Sequence, residues 1–143
     1  MSTVKEVLDL KGHEVESIDP DDSVYNAIKR MSDRNIGALM VVERGKPVGL
    51  ISERHYARSV YLLGRSSPET PVRDIMETDF AYARPEQSNR ECMSVMTTKR
   101  TRHLPVLDGE VLVGIVSIGD LVKSIVAEQE LTIEQLEQYI HRG

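Results

Sequence analysis

Hydrophobic and polar residues follow one another along this chain in an order that predicts strand, helix, hairpin and helix in turn. The first helical segment has its apolar residues at the i, i+3, i+4 and i+7 positions that create one buried face: Val24, Ala27, Ile28 and Met31. Two β-branched runs at residues 38–42 and 48–52, separated by a glycine-containing turn, predict a β-hairpin. A brief strand at residues 15–18 precedes this helix, and a second helix at residues 53–63 completes the series.

The same series returns 65 residues later without a gap. The pairs that are identical at this offset are Pro20/Pro85, Ser23/Ser88, Met31/Met96, Leu39/Leu104, Val41/Val106, Val48/Val113, Gly49/Gly114, Ser52/Ser117 and Ser59/Ser124. In this second copy we predict strands at residues 80–83, 104–107 and 111–117 and a last helix at residues 118–129. The chain is therefore a tandem duplication of a β-α-β-β-α unit, and one unit alone has too little interior to fold.

This organisation predicts an α+β fold, an α/β sandwich in which two repeats are related by pseudo-two-fold symmetry. We expect a first repeat with an N-terminal segment at residues 1–66, a second repeat at residues 67–130 and a C-terminal helical tail at residues 131–143. Residues 72–76 echo residues 4–8. The tail carries an apolar stripe that either packs on its own domain or crosses a dimer interface: Ile133, Leu136 and Ile140.

Composition narrows the possible partners. The chain has 143 residues, with 18 Lys and Arg against 23 Asp and Glu, and its net charge of −5 argues against a protein that coats nucleic acid. The single cysteine, Cys92, excludes an intrachain disulfide, and the four histidines lack metal-ligand spacing, so no metal site is expected. The pattern at the start of the given sequence predicts no signal peptide, and no apolar run approaches the ~20 residues of a membrane span. We expect a cytoplasmic protein with no membrane or nucleic-acid partner.

Two segments have residues that could bind a ligand, whereas no catalytic motif occurs and we expect no enzyme. Ser117 and Asp120 lie where a strand passes into a helix, so they either cap the helix or bind hydroxyl and anionic groups. Arg102 and His103 stand before the strand at residues 104–107 and suit either a solvated helix end or phosphate recognition. The first copy has Gly37 and Ala38 at the positions equivalent to Arg102 and His103. These two residues are small and permit backbone contact with a flat ring.

These motifs resemble a cystathionine β-synthase (CBS) domain pair, or Bateman module. The resemblance rests on Val-Gly-Leu-Ile-Ser at residues 48–52, on Val-Gly-Ile-Val-Ser-Ile-Gly-Asp at residues 113–120 and on His-Leu-Pro-Val at residues 103–106. It spans about residues 3–130, and residues 52–58 and the tail further resemble small stand-alone bacterial members.

The resemblance implies that an adenine nucleotide binds in a cleft between the two repeats. Asp120 matches the family's ribose-binding aspartate and Ser117 the hydroxyl residue of the same motif, while Arg102 and His103 match the phosphate-contacting pair. The residues implied for adenine are Val15, Glu16, Ser17, Ile18, Ile36, Gly37, Ala38 and Ile115.

The pseudo-symmetric second site departs from the pattern. Its position equivalent to Asp120 is 120 − 65 = 55, and His55 cannot accept two ribose hydroxyls as a carboxylate does. This site is either empty or binds a different group. The residues that could gather around an extra phosphate, as a dinucleotide such as NAD would bring, are Ser52, Arg54, His55, Arg58 and Arg102.

The leading hypothesis is a non-catalytic regulatory sensor that binds AMP, with NAD and ATP as further candidates and no catalytic cofactor. The alternative is a module for partner docking and dimerisation whose nucleotide sites are vestigial. An enzyme such as inosine-monophosphate dehydrogenase is disfavoured because a barrel of about 250 residues does not fit this length and because Cys92 falls on a buried helical stripe. We expect a homodimer and a protein partner whose identity the sequence does not indicate.

Overall fold

The computed structural model describes residues 2–142, which form two compact units of mixed helix and sheet. One unit is the continuous stretch Glu14–Phe80, and the other joins the N-terminal segment through His13 to the chain from Ala81 onward. Each unit contains a small sheet and helices that cover it. The predicted α+β class is confirmed.

The Glu14–Phe80 unit contains a three-stranded sheet. Its elements are β1 (Ser17–Ile18), α2 (Val24–Arg34), β2 (Ala38–Glu43), β3 (Lys46–Ser52), α3 (Glu53–Tyr56), a π-helical turn (Ala57–Tyr61) and a 3₁₀ turn (Val72–Asp74). Strand β1 pairs in parallel with β2, and β2 pairs antiparallel with β3. Arg44 and Gly45 have φ of 53° and 78°, the positive values that a two-residue hairpin turn of type I′ requires.

The helical stripe predicted in this unit is confirmed. Val24, Ala27 and Met31 are buried, and Ile28 packs against the same core at partial exposure. The opposite wall comes from the hairpin, through Leu39 and Ile51. Ser23 begins α2, because its side chain accepts a hydrogen bond from the Asn26 amide.

The second unit contains a two-stranded sheet. Its elements are α1 (Val4–Lys11), α4 (Asn89–Lys99), β4 (His103–Asp108), β5 (Val111–Ser117) and α5 (Ile118–Arg142). Instead of the predicted strand at residues 80–83, the structure has one isolated parallel bridge, between Ala83 and Val106. Cys92 is buried in the core, as predicted, and burial raises the pKa of its thiol to about 11.

The two units do not divide where the predicted repeats divide. Residues 4–8 fall within the stretch predicted for the first repeat but pack on the second, and residues 72–76 fall within the stretch predicted for the second repeat but pack on the first. A glycine makes room in each case. A Cβ at Gly114 would lie 2.6 Å from Leu8 Cδ2, and a Cβ at Gly49 would lie 2.7 Å from Met76 Sδ. The echo between the two segments therefore reflects two equivalent docking positions, one in each unit.

The tail continues α5 without a break, so this helix extends to Arg142 instead of ending near residue 129. Large apolar side chains along it are 56–78% exposed: Leu131, Ile133, Leu136, Tyr139 and Ile140. The apolar side chains of the tail therefore do not pack on its own domain, which was the first of the two alternatives. Within residues 2–142, no helix combines the length and apolar character needed to cross a membrane.

Candidate functional site

Ser117 and Asp120 form a reciprocal cap at the start of α5. The Ser117 amide donates a hydrogen bond to Asp120 Oδ2 at 2.9 Å, and the Asp120 amide donates to Ser117 Oγ at 3.1 Å. Helices begin with such pairs because their first amides have no partner within the helix. The capping role considered from the sequence is confirmed, and it fixes the orientation of the carboxylate.

Lys11, at the end of α1, contacts the same carboxylate. Its Nζ donates to Asp120 Oδ2 at 2.6 Å and to the Ile115 carbonyl oxygen at 2.7 Å. Burial raises the pKa of Asp120, but the hydrogen bonds from Lys11 and from the Ser117 amide outweigh it and hold the pKa below its ordinary value. The Asp120 side chain is 24% exposed and that of Lys11 is 35% exposed. The carboxylate is therefore ionised, anchored and still reachable from solvent.

His103 and Arg102 belong to the same cluster. His103 is the first residue of β4 and pairs with Ser117 in the β4–β5 ladder. Burial lowers the pKa of His103, and the positive charges of Lys11 and Arg102 lower it further while Asp120 opposes them. Arg102 is exposed, and its carbonyl oxygen accepts a hydrogen bond from the Ile118 amide at 2.9 Å. At neutral pH the imidazole is thus uncharged beside two cations and one carboxylate.

The structure therefore brings together all the residues that the sequence predicts in the second repeat: Arg102, His103, Ile115, Ser117 and Asp120. It adds Lys11, which the sequence analysis missed. Lys11 lies in a segment assigned to the first repeat, and only its packing on the second repeat reveals the contact. The available signal was the echo between residues 4–8 and 72–76, which indicates a docking segment without saying where it docks.

The equivalent position in the Glu14–Phe80 unit has the same backbone arrangement with different chemistry. The Ser52 amide donates to His55 Nδ1 at 3.1 Å, and the His55 amide donates to Ser52 Oγ at 3.3 Å. His55 Nε2 lies 3.4 Å from Glu77 Oε2. Because Nδ1 accepts a hydrogen bond, the ring proton is on Nε2 and faces Glu77. His55 thus replaces Asp120 as a cap, and a carboxylate replaces Lys11 as its partner.

Arg54 and Arg58 are exposed residues near His55. Burial of the imidazole lowers the pKa of His55, Glu77 opposes this effect, and the charges of Arg54 and Arg58 reinforce it. The predicted second-site group of Ser52, Arg54, His55 and Arg58 therefore lies along the start of α3 and the π-helical turn that follows it. Arg102 belongs to the other unit.

Some of the residues predicted to contact adenine line a cavity of about 620 Å³ in the Glu14–Phe80 unit. Its lining consists of Ile28, Met31, Ser32, Asn35, Ile36, Gly37, Glu53 and Tyr56. Ile36 and Gly37 are thus on its wall, and the Gly37 carbonyl oxygen accepts a hydrogen bond from the Glu53 amide at 3.1 Å.

The other residues predicted for adenine in this unit, Val15, Glu16, Ser17, Ile18 and Ala38, do not line that cavity. Ser17 and Ile18 form β1, and Ile18 and Ala38 are buried. Glu16 pairs with Arg34 at 3.6 Å. Among residues 2–142, no three His, Cys, Asp or Glu side chains come together as a candidate metal site.

Comparison with known proteins identifies related chains. The model of the CBS domain family matches residues 4–61 and residues 72–127. The CBS domain-containing protein CBSX3, mitochondrial, of Arabidopsis thaliana is 38% identical over 151 residues, which cover 99% of this chain and 73% of that protein. The CBS domain-containing protein YhcV of Bacillus subtilis is 33% identical over 121 residues, with 85% and 84% covered.

A solved structure agrees with this relationship. It is that of a protein with CBS domains from Burkholderia ambifaria, described as a candidate signal-transduction protein. Its sequence is 47% identical, and the superposition has a TM-score of 0.86 over 90% of this chain and 96% of the other.

Proposed function

This chain belongs to the CBS domain family, with two copies of the domain, and we propose that it is a non-catalytic regulatory protein that binds an adenine nucleotide. AMP is our first choice of ligand, ahead of NAD and ATP. The role is that of a sensor, in which the bound nucleotide shifts a conformational equilibrium that a protein partner recognises. The description of the Burkholderia protein as a candidate for signal transduction supports such a role. The expected cytoplasmic location stays a prediction.

The observation that carries this proposal is the Asp120 carboxylate. It is ionised, held in place by the Ser117 amide and 24% exposed. A fixed carboxylate can accept hydrogen bonds from two vicinal hydroxyls, the group that a ribose presents, because its two oxygens have about four lone-pair positions. The hydrogen bonds that Lys11 Nζ and the Ser117 amide donate to this carboxylate both end on Oδ2.

Cations near this carboxylate support a phosphorylated ligand. Arg102 offers a guanidinium at an exposed position, and Lys11 has its ammonium beside Asp120. Neutral His103 can donate one ring N–H. A single phosphate suits this number of donors, which is why AMP precedes ATP. The adenine contacts proposed in the Glu14–Phe80 unit stay a prediction.

The test is isothermal titration calorimetry of the full chain with AMP, ADP, ATP and NAD. We expect AMP to bind the wild type. Asp120→Asn should weaken AMP binding at least tenfold, because the amide nitrogen of Asn cannot accept a hydrogen bond from a hydroxyl. Asp108→Asn is the matched control, since Asp108 ends β4 at an exposed hairpin position. Absence of binding to the wild type, or equal binding to the Asp120→Asn variant, would contradict the proposal.

A second candidate function is favoured by the exposed apolar residues of the tail. In this alternative the chain is a module for dimerisation and partner docking whose nucleotide sites are vestigial. Leu131, Leu136 and Ile140 are more than half exposed along α5. Light scattering on the wild type and on a Leu136→Gln/Ile140→Gln variant tests for a homodimer. A dimer that only the wild type forms, without nucleotide binding, would favour this alternative over the first.

A further inference from the structure

Lys11 occupies acceptor atoms that a ligand at Asp120 would use. Its ammonium donates to Asp120 Oδ2 at 2.6 Å and to the Ile115 carbonyl oxygen at 2.7 Å. The hydroxyls of a ribose donate to a carboxylate in the same way as an ammonium does. Two vicinal hydroxyls need both carboxylate oxygens, so one of them would compete with Lys11 for Oδ2 and displace its Nζ.

The displaced ammonium would lose its ion pair with Asp120. The charged and titratable groups that act on this cluster besides Lys11 are Arg102, His103 and Asp120. Arg102 is positive and His103 is neutral, so neither can replace Asp120 as the partner of an ammonium. Asp120 would be engaged by the ribose. A neutral nucleoside therefore breaks an ion pair without replacing it, and part of its binding free energy is lost to that step.

A phosphorylated ligand changes this balance. A nucleoside monophosphate brings a charge of about −1.5 to −2 at pH 7 together with three acceptor oxygens. The displaced Lys11 can pair with this phosphate on the side where Arg102 already provides a positive charge. The Lys11–Asp120 ion pair is then replaced by an ion pair between Lys11 and the phosphate. The binding free energy that a nucleoside loses at this step is therefore retained.

We propose that Lys11 is a specificity-determining residue that makes the Asp120 site select phosphorylated adenosine over adenosine. In the free chain it holds Oδ2 of the carboxylate, and in the complex it binds the phosphate. This inference rests on the proposed function and names the distinction that the site makes within the class of adenine ligands. It also assigns a role to α1, since Lys11 ends that helix.

The test compares adenosine with AMP, by calorimetry on the full-length wild type, Lys11→Met and Lys5→Met. We expect Lys11→Met to tighten adenosine binding about threefold and to weaken AMP binding about threefold, so that the preference for AMP falls about tenfold. Lys5→Met removes the same charge from an exposed position on the same helix and should leave the preference unchanged. Lys11→Arg, which keeps the charge, should retain most of it.

Nuclear magnetic resonance titration of the Asp120 carboxyl gives an independent readout without ligand. Its pKa should rise in Lys11→Met and stay unchanged in Lys5→Met, and the same spectra show that each variant is folded. An unchanged pKa in Lys11→Met, or equal changes in the binding of both ligands, would overturn the role of Lys11. If the wild type binds neither ligand while the pKa does rise, the nucleotide proposal fails although the Lys11–Asp120 pair exists.

Discussion

Lys11 Nζ lies 2.6 Å from Asp120 Oδ2, although the two residues are 109 positions apart in the chain. The contact exists because α1 packs on the second repeat, next to β5 and α5. It joins the N-terminal helix to the carboxylate that caps α5. Protonation of that carboxylate, or a ligand that binds it, would therefore alter a contact made by α1.

The ion pair should make stability depend on pH in the acid range. The folded pKa of Asp120 lies below its ordinary value of about 3.9. Its contribution is therefore complete above that ordinary value and is lost as the pH falls through the folded pKa. We expect Lys11→Met to lower the free energy of unfolding by about 0.5–1 kcal/mol at pH 7 and by less near pH 3.

Urea unfolding of the wild type, Lys11→Met and Lys5→Met at several pH values measures this difference. A gap between the wild type and Lys11→Met that stays constant down to pH 3 would show that the carboxylate is not what Lys11 stabilises.

His55 and Glu77 are the counterpart of Asp120 and Lys11, with a neutral imidazole in place of the carboxylate and a carboxylate in place of the ammonium. His55→Asp alone would place two carboxylates close together, since His55 Nε2 is 3.4 Å from Glu77 Oε2. Adding Glu77→Lys would recreate the pairing of the other unit. We expect the double variant to be more stable than the sum of the two single changes predicts, with a coupling free energy of about 1 kcal/mol.

Urea unfolding of the wild type, both single variants and the double variant completes this cycle. Additive single effects would mean that the two positions do not interact in solution.

Protonation of His55 should also destabilise the fold. Burial lowers the pKa of His55 below its ordinary value of about 6.5. The stability from the neutral ring is present above pH 6.5 and is lost as the pH falls through the folded pKa. His55→Gln keeps an acceptor for the Ser52 amide but removes the titration. We expect a shallower loss of thermal stability between pH 7 and pH 5 for this variant, and an unchanged slope would exclude His55 as its source.

Gly114 is needed because Leu8 fills the space that a side chain at this position would occupy. A Cβ there would lie 2.6 Å from Leu8 Cδ2, so Gly114→Ala should destabilise the fold by about 1–3 kcal/mol. Gly119→Ala is the control: it lies inside α5, its Cβ would meet Ser117 Oγ at an ordinary 3.7 Å, and alanine favours helix. Adding Leu8→Ala to Gly114→Ala should cost less than the two changes separately. Equal stability of Gly114→Ala and the wild type would mean that α1 does not dock here.

Cys92 should be unreactive in the folded chain. Its side chain is buried, and burial raises the thiol pKa to about 11, so little thiolate exists at pH 8. We expect an aromatic disulfide reagent to modify Cys92 only at the rate at which the unit opens, and rapidly in urea. Modification of the native protein as fast as that of a free thiol would contradict the burial of α4.

The elements that local patterns determine were predictable from the sequence. The stripe of α2, both hairpins and the Ser–Asp segment at the start of α5 follow from side-chain periodicity and turn residues, and all were confirmed. The short strand predicted at residues 80–83 was reduced to one bridge, between Ala83 and Val106. Lys11 was missed because its contact is set by which repeat α1 docks on, and periodicity within a segment contains no information about that choice.

The packing of residues 4–8 on the second repeat and of residues 72–76 on the first also sets an order of events during protein synthesis. The Glu14–Phe80 unit is one uninterrupted stretch, so it is complete soon after residue 80 leaves the ribosome. Residues 4–11 are made before this unit but have their binding surface on strands and helices that are made after it. Helix α1 therefore cannot reach its packing surface until the chain from Ala81 onward has been made, after the Glu14–Phe80 stretch is complete, and the unit that contains Asp120 folds after it.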